Sequence, residues 1–180
     1  MKKYPSVISL VLLLCFVVGC QDKAAMAELE QFKAQAAVEK QNKELIRNYL
    51  EEMDKQNFEI FKEVYALNAK LYYPSNSSEP MSIEQAIPMA KSFYAGFSDF
   101  SHNIEELIAE GNKVILRSID RGTHQGEFNG IAATGKKIEM GVLVIFYFNE
   151  GKIVEAREEF DMLGLMQQLG LELKPKEAGK

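Results

Sequence analysis

The stretch that decides the fold is Lys137-Ile138-Glu139-Met140-Gly141-Val142-Leu143-Val144-Ile145-Phe146-Tyr147-Phe148-Asn149-Glu150-Gly151-Lys152-Ile153-Val154-Glu155-Ala156-Arg157-Glu158-Glu159-Phe160. β-Branched and aromatic residues fill 142–148, and Asn149-Glu150-Gly151 interrupts them with turn chemistry, so the spacing predicts a hairpin of strands 137–148 and 152–160. Residues 142–148 lack polar alternation, which predicts cover on both faces, one from helices and one from a partner chain. Upstream, 102–109 and 113–123 read as two more strands joined by Glu110-Gly111-Asn112. Ten of the twelve glycines lie between Gly96 and Gly170, which marks this part of the chain as the turn-rich sheet region.

Before Phe97 the pattern is helical. Ser82-Ile83-Glu84-Gln85 reads as a capping box opening a helix to about Phe97, with Pro88 predicting a kink or a later start. Tyr73 to Pro80 is dense in turn formers, and Phe58, Phe61, Val64 and Tyr65 outline a short helix. Ile46, Tyr49, Leu50 and Met53 recur at i, i+3, i+4 and i+7, the stripe of a helix facing a core. A short closing helix spans 163–169. Helices first and an antiparallel sheet afterwards make an α+β domain with its helices on one sheet face.

The N-terminus reads as an address. Lys2 and Lys3 precede the apolar run Val7–Val18, which is too short to span a bilayer but suits a secretory signal. Val17-Val18-Gly19-Cys20 is similar to a bacterial lipobox, in which the Cys is diacylated and becomes the new N-terminus. The expected organisation is a signal peptide at 1–19, a helical tether at 20–42, a folded domain at 43–173 and a tail at 174–180. The tether is rich in Ala, Glu, Lys and Gln, and about 20 helical residues reach about 30 Å. Lipid on Cys20 predicts an extracytoplasmic protein held to a membrane. In a Gram-negative host, Gln21 after the Cys predicts the outer membrane, facing the periplasm.

Composition excludes several classes. The chain has 180 residues, 47% of them hydrophobic, with a net charge of −5, which argues against nucleic-acid partners. Two isolated His, His102 and His124, and two Cys supply no metal-ligand spacing, so no metal and no cofactor is expected. Ser101, Ser118 and Thr123 lack a nucleophile elbow. His102 is expected to be solvated at a strand start, His124 to make a structural hydrogen bond in a turn, and Glu155, Glu158 and Glu159 to form a solvated edge. Arg117 and Arg121 share a strand face with Ile115 and Ile119, where they either pair with Glu139, Glu155 or Glu159 or line an exposed or dimer face.

Three segments carry a family resemblance. They are Ile108-Ala109-Glu110-Gly111-Asn112-Lys113-Val114; Gly122-Thr123-His124-Gln125-Gly126-Glu127-Phe128-Asn129-Gly130 with Thr134-Gly135-Lys136; and Gly151-Lys152-Ile153-Val154-Glu155 through Asp161 to Gln168-Leu169-Gly170. In order and spacing they resemble the SnoaL-like polyketide cyclases, or ester cyclases, of the NTF2-like superfamily. The resemblance implies a cone-shaped barrel, a curved antiparallel sheet on three helices around a pocket for a small hydrophobic molecule. Dimerisation through the outer sheet face is implied as well. It also implies cofactor-independent aldol or proton-transfer chemistry, with a carboxylate at the end of the last strand as acid/base. That position is Asp161, which also reads as the N-cap of the closing helix, ahead of Leu163, Leu165 and Met166; Tyr147 and His124 are the expected donors, and Arg157 the residue orienting the carboxylate.

The chain departs from the family where Arg157 replaces a Trp, Ala132-Ala133-Thr134-Gly135 replaces a Pro-Pro-Thr-Gly loop, and Tyr73 replaces a His. Two functions therefore remain in view, a cyclase or isomerase and a non-catalytic lipoprotein that binds an apolar ligand or serves as a dimeric scaffold.

Overall fold

A mixed five-stranded sheet, in the order β1-β5-β4-β3-β2, wraps over helices in the computed structural model. The model describes residues 6–172, with side chains from Lys23 onward. The Cys20 side chain and the tail 174–180 lie outside the described residues. The elements are α1 (Ser6–Asp54), α2 (Ile60–Val64), β1 (Tyr65–Tyr72), α3 (Ile83–Gly96), β2 (Ser101–Glu110), β3 (Lys113–Thr123), β4 (Lys137–Asn149), β5 (Lys152–Phe160) and α4 (Met162–Leu169). The chain divides into two compact units, Met1–Val38 and Glu39–Lys180. In the first, Met26, Leu29, Phe32 and Val38 are all exposed.

In the second unit the antiparallel ladder of β2, β3, β4 and β5 is the one the hairpin signals predict. Gly111 at φ +58°, and Glu150 and Gly151 at +49° and +74°, supply the left-handed geometry that tight hairpin turns need. The Gly111 amide donates to the Glu39 carboxylate at 2.7 Å, which pins the β2–β3 turn to α1. Ile46, Tyr49, Leu50 and Met53 are buried, so the periodic stripe of α1 faces the core.

Two elements differ from the sequence reading. Residues 65–72 form β1, which pairs in parallel with β5 through Leu71↔Ala156 and Tyr72↔Arg157, so the sheet is not purely antiparallel. Helix-permissive residues become a strand here because α2 ends after five residues and the free edge of β5 supplies a ladder. At Pro88 the helix neither stops nor starts late. It opens at Ile83, where the Ser82 amide donates to Gln85 Oε1 at 2.9 Å, and Pro88 lies exposed inside it. The family-like turn closes on α3: the Gln125 and Gly126 amides donate to the Gly96 carbonyl at 2.9 and 3.0 Å. A Cβ on Gly126 would collide with the Ala95 carbonyl, which explains the glycine.

Strand parity decides what faces inward. In β4 the even positions from Ile138 to Phe148 are buried, whereas Gly141 and Leu143 are exposed. Cover therefore exists on one face of β4 within a single chain, and the outer face is open.

Candidate active site

The concave face of the sheet and the helices enclose a cavity of about 290 Å³. Its wall is largely apolar, with Leu50, Met53, Phe61, Met81, Phe93, Leu116, Met140, Val142, Val144 and Phe146 contributing. Into this wall the fold inserts a few polar groups. Tyr49 comes from α1, Tyr94 from α3, His102 from β2, Ser118 and Asp120 from β3, and Glu158 from β5. An apolar cavity with sparse convergent polar groups is the usual form of a small-molecule site.

His102 is held from behind. Its Nδ1 lies 2.6 Å from Asp54 Oδ1 at the end of α1, and its amide also donates to that carboxylate at 3.2 Å. With Nδ1–H on Asp54, Nε2 is the ring nitrogen left for the cavity. Burial works against charge on this ring, but the Asp54 hydrogen bond and the fields of Asp120, Asp54 and Glu158 outweigh it and raise its pKa. His102 and Asp120 are direct cross-strand partners, which puts their side chains on the same inner face. Burial raises the Asp120 carboxyl, with the nearby His102 pulling the other way.

Glu158 occupies the opposite wall. Ala156, Glu158 and Phe160 line the cavity, while the alternating Arg157 and Glu159 point outward. Burial pushes the Glu158 carboxyl up to about 7; His102 opposes that shift and Asp120 adds to it. Its charge acts on Tyr49, Tyr65 and Tyr73, whose hydroxyls burial holds protonated. A carboxyl that titrates near neutrality inside an apolar cavity can accept and return a proton at physiological pH.

Several polar atoms on the inner wall have no partner. Tyr94 Oη, Asp120 Oδ1 and Ser118 Oγ are buried without a hydrogen bond, a cost of about 1–3 kcal/mol for each group. Among the described residues no group of three His, Cys, Asp or Glu could hold a metal ion.

The structure does not gather the residues singled out from sequence, and none of the four lines the cavity. Asp161 is exposed and caps α4, accepting from the Gly164 amide at 2.7 Å. A Cβ on Gly164 would run into that carboxylate and make the Asp161 side chain shift. Tyr147 lies on the outer sheet face under Lys113, whose Nζ is 5.4 Å from its ring. Arg157 does not orient Asp161. It donates to Glu155 at 2.7 Å and to the Ser75 carbonyl at 2.9 Å, and stacks 3.9 Å over Tyr72. His124 is fully buried in its turn, where Nδ1 accepts from the Thr134 amide at 3.2 Å.

Two expectations about unselected residues are also corrected. His102 is paired and 15% exposed rather than solvated, and Glu158 belongs to the cavity rather than to a solvated edge. Arg121 and Arg117 pair with Glu139 and Glu106 at 2.9 and 3.1 Å on the outer face.

Asp161 gives a direct test. Asp161→Asn, which keeps a capping side chain, is expected to leave ligand chemistry in the cavity unchanged. Asp161→Ala is expected to cost about 1 kcal/mol in denaturant unfolding through loss of the cap. A hundredfold activity loss in Asp161→Asn would return catalysis to that residue.

Residues 43–169 match the family model for SnoaL-like polyketide cyclase. Among solved structures the chain is similar to wild-type IdmH from Streptomyces antibioticus, at 26% identity and a TM-score of 0.64, covering 72% of this chain and 99% of that one. It is similar to a SnoaL-like protein from Jannaschia sp. CCS1, at 22% identity and a TM-score of 0.67, over 75% and 95% of the two chains. AclR from Streptomyces galilaeus aligns at 22% identity and a TM-score of 0.68, over 73% and 97%. The latter two share the fold. No curated protein matches the chain.

Proposed function

The chain belongs to the SnoaL-like polyketide cyclase family, and from that premise we propose that its cavity carries out cofactor-independent proton transfer on a small hydrophobic carbonyl compound. The observation that carries the reading is Glu158, a half-buried carboxyl raised to about 7 in a largely apolar pocket that also holds the His102–Asp54 pair. A ligand carbonyl oxygen accepts from His102 Nε2–H. Glu158 takes a proton from the adjacent carbon, the C–H electron pair becomes the enolate double bond, and the carbonyl pair moves onto oxygen. The charged imidazole stabilises that oxyanion where it develops. Glu158 then returns the proton at carbon, or the enolate carbon attacks a second carbonyl, whose π pair moves onto its oxygen and takes the proton from Glu158, as a cyclisation requires.

Acetophenone in deuterated water tests the reading, because enolate formation replaces its methyl protons with deuterium, visible by proton NMR. Wild-type protein is expected to accelerate the exchange. Exchange no faster than buffer, with acetophenone bound in the cavity, would favour the alternative of a non-catalytic apolar carrier.

The N-terminal sequence supports an extracytoplasmic, lipid-anchored protein, with Cys20 as the acylated residue after removal of 1–19. Palmitate labelling of the full chain in a bacterial host is expected to mark the wild type and to be lost in Cys20→Ala, with release of the protein from membranes. Labelling that survives the substitution would contradict the anchor.

On the outer sheet face, Ile115 and Leu143 are 37% and 44% exposed beside the Arg117–Glu106 pair, with the Arg121–Glu139 pair further along the same strands. This face suits pairing with a second copy of the chain. Leu143→Glu is expected to convert a dimer to a monomer in light scattering, and a wild-type monomer at all concentrations would refute the pairing.

A further inference from the structure

The inner wall holds a donor–acceptor set that proton transfer alone does not use. Tyr94 is 3% exposed, Asp120 2% and Ser118 0%, and each presents a polar atom without a partner at the cavity wall. The His102–Asp54 bond leaves these atoms out, and within the set the Ser118 hydroxyl is the neighbour that helps hold the Asp120 carboxylate in its charged form. Asp120 Oδ1 accepts, whereas the Tyr94 and Ser118 hydroxyls can donate. One ligand group complements both kinds at once. A hydroxyl donates its proton to Asp120 and accepts from Tyr94 or Ser118. A second carbonyl, an ether or a halogen brings Asp120 no donor and leaves it to Ser118 alone.

We infer that this wall is a recognition subsite for a ligand hydroxyl, so that the compound accepted is a small hydroxy-carbonyl of one or two rings. The inference rests on the cavity being the working site proposed above. Two further observations shape it. Asp120 and His102 are direct partners across β2 and β3, with Cβ atoms about 4.5–5.5 Å apart in such a pair. The hydroxyl and the carbonyl of the ligand are therefore only a few bonds apart. The cavity, about 290 Å³, equals about ten waters at about 30 Å³ each. That admits a one- or two-ring body within the wall. Phe58, Phe93 and Phe100 pack edge-on against the Tyr94 ring and fix the hydroxyl in place without bonding it.

The test is calorimetric titration of the full-length protein with acetophenone and with its three hydroxy isomers at pH 7. One hydroxy isomer is expected to bind at least tenfold tighter than acetophenone. Tyr94→Phe and Asp120→Leu, each removing the polar atoms with little change in bulk, are expected to reduce that preference to under threefold. Asp161→Asn, outside the cavity, is expected to keep it. Four equal affinities in the wild-type protein would overturn the inference without recourse to any variant, and so would a preference that survives both substitutions. Preference without deuterium exchange would sink the proton-transfer reading and leave the subsite standing; exchange without preference would do the reverse.

Discussion

Glu158→Gln is expected to abolish deuterium exchange into acetophenone and, at pH 8, to make the folded protein more stable by about 3 kcal/mol. Both effects come from one cause. Burial lifts the carboxyl from its ordinary 4.5 to about 7, so the folded state disfavours the anion that the unfolded chain carries freely. The sign follows from linkage. Glu158 binds its proton more tightly when folded, so its contribution is most favourable below pH 4.5 and is lost as pH rises through about 7. At 1.36 kcal/mol for each pKa unit the loss is about 3 kcal/mol, the attraction of His102 being already part of the net rise. Gln keeps the shape and cannot ionise, so it removes the penalty together with the base. Denaturant unfolding at pH 5 and pH 8 separates the two proteins: nearly equal stability at pH 5, with the variant ahead at pH 8. A variant less stable than wild type at pH 8 would mean that the Glu158 anion has a favourable partner.

Asp54→Asn is expected to slow exchange by about 10²–10³-fold, within the range for loss of a positioned acid. Asp54 supplies the hydrogen bond and much of the field that keep His102 charged against burial. Without them, burial dominates and the imidazole is neutral at pH 7, a weaker donor to the oxyanion. In the wild type the rate should rise as Glu158 ionises near pH 7 and fall when His102 loses its proton at its raised pKa. The variant should lose the upper part of that bell. Because the two groups interact, the limbs report the pair rather than either residue alone. Nitrogen NMR of the ring checks the cause independently, as a raised His102 pKa in wild type and a lowered one in Asp54→Asn. An unchanged pH profile would remove Asp54 from the site.

How much of this was legible in the sequence differs by level. The hairpin signals at Gly111 and Glu150-Gly151, the capping box at Ser82 and the stripe from Ile46 to Met53 each report local geometry, and each found its element. Strand β1 was hidden because its reason is distant: Leu71 and Tyr72 are extended by the ladder to Ala156 and Arg157. The carboxylate of the proposed site lies three residues before Asp161, which follows the strand and turns outward to cap α4. Parity held the missing signal. If Arg157 and Glu159 point out, then Glu158 points in with Ala156 and Phe160. If Arg117, Ile119 and Arg121 share the outer face, Ser118 and Asp120 share the inner one. The Asp54–His102 contact, 48 residues apart in sequence, had no local signature at all.

The account stands most directly on the protonation of one side chain. Glutamate labelled with carbon-13 at the carboxyl, titrated by NMR with Glu158 assigned by its absence in Glu158→Gln, reads that state directly. A midpoint near pH 7 is the predicted result. A midpoint near 4.5 would place Glu158 in a solvated setting, and proton transfer in this cavity would lose its base.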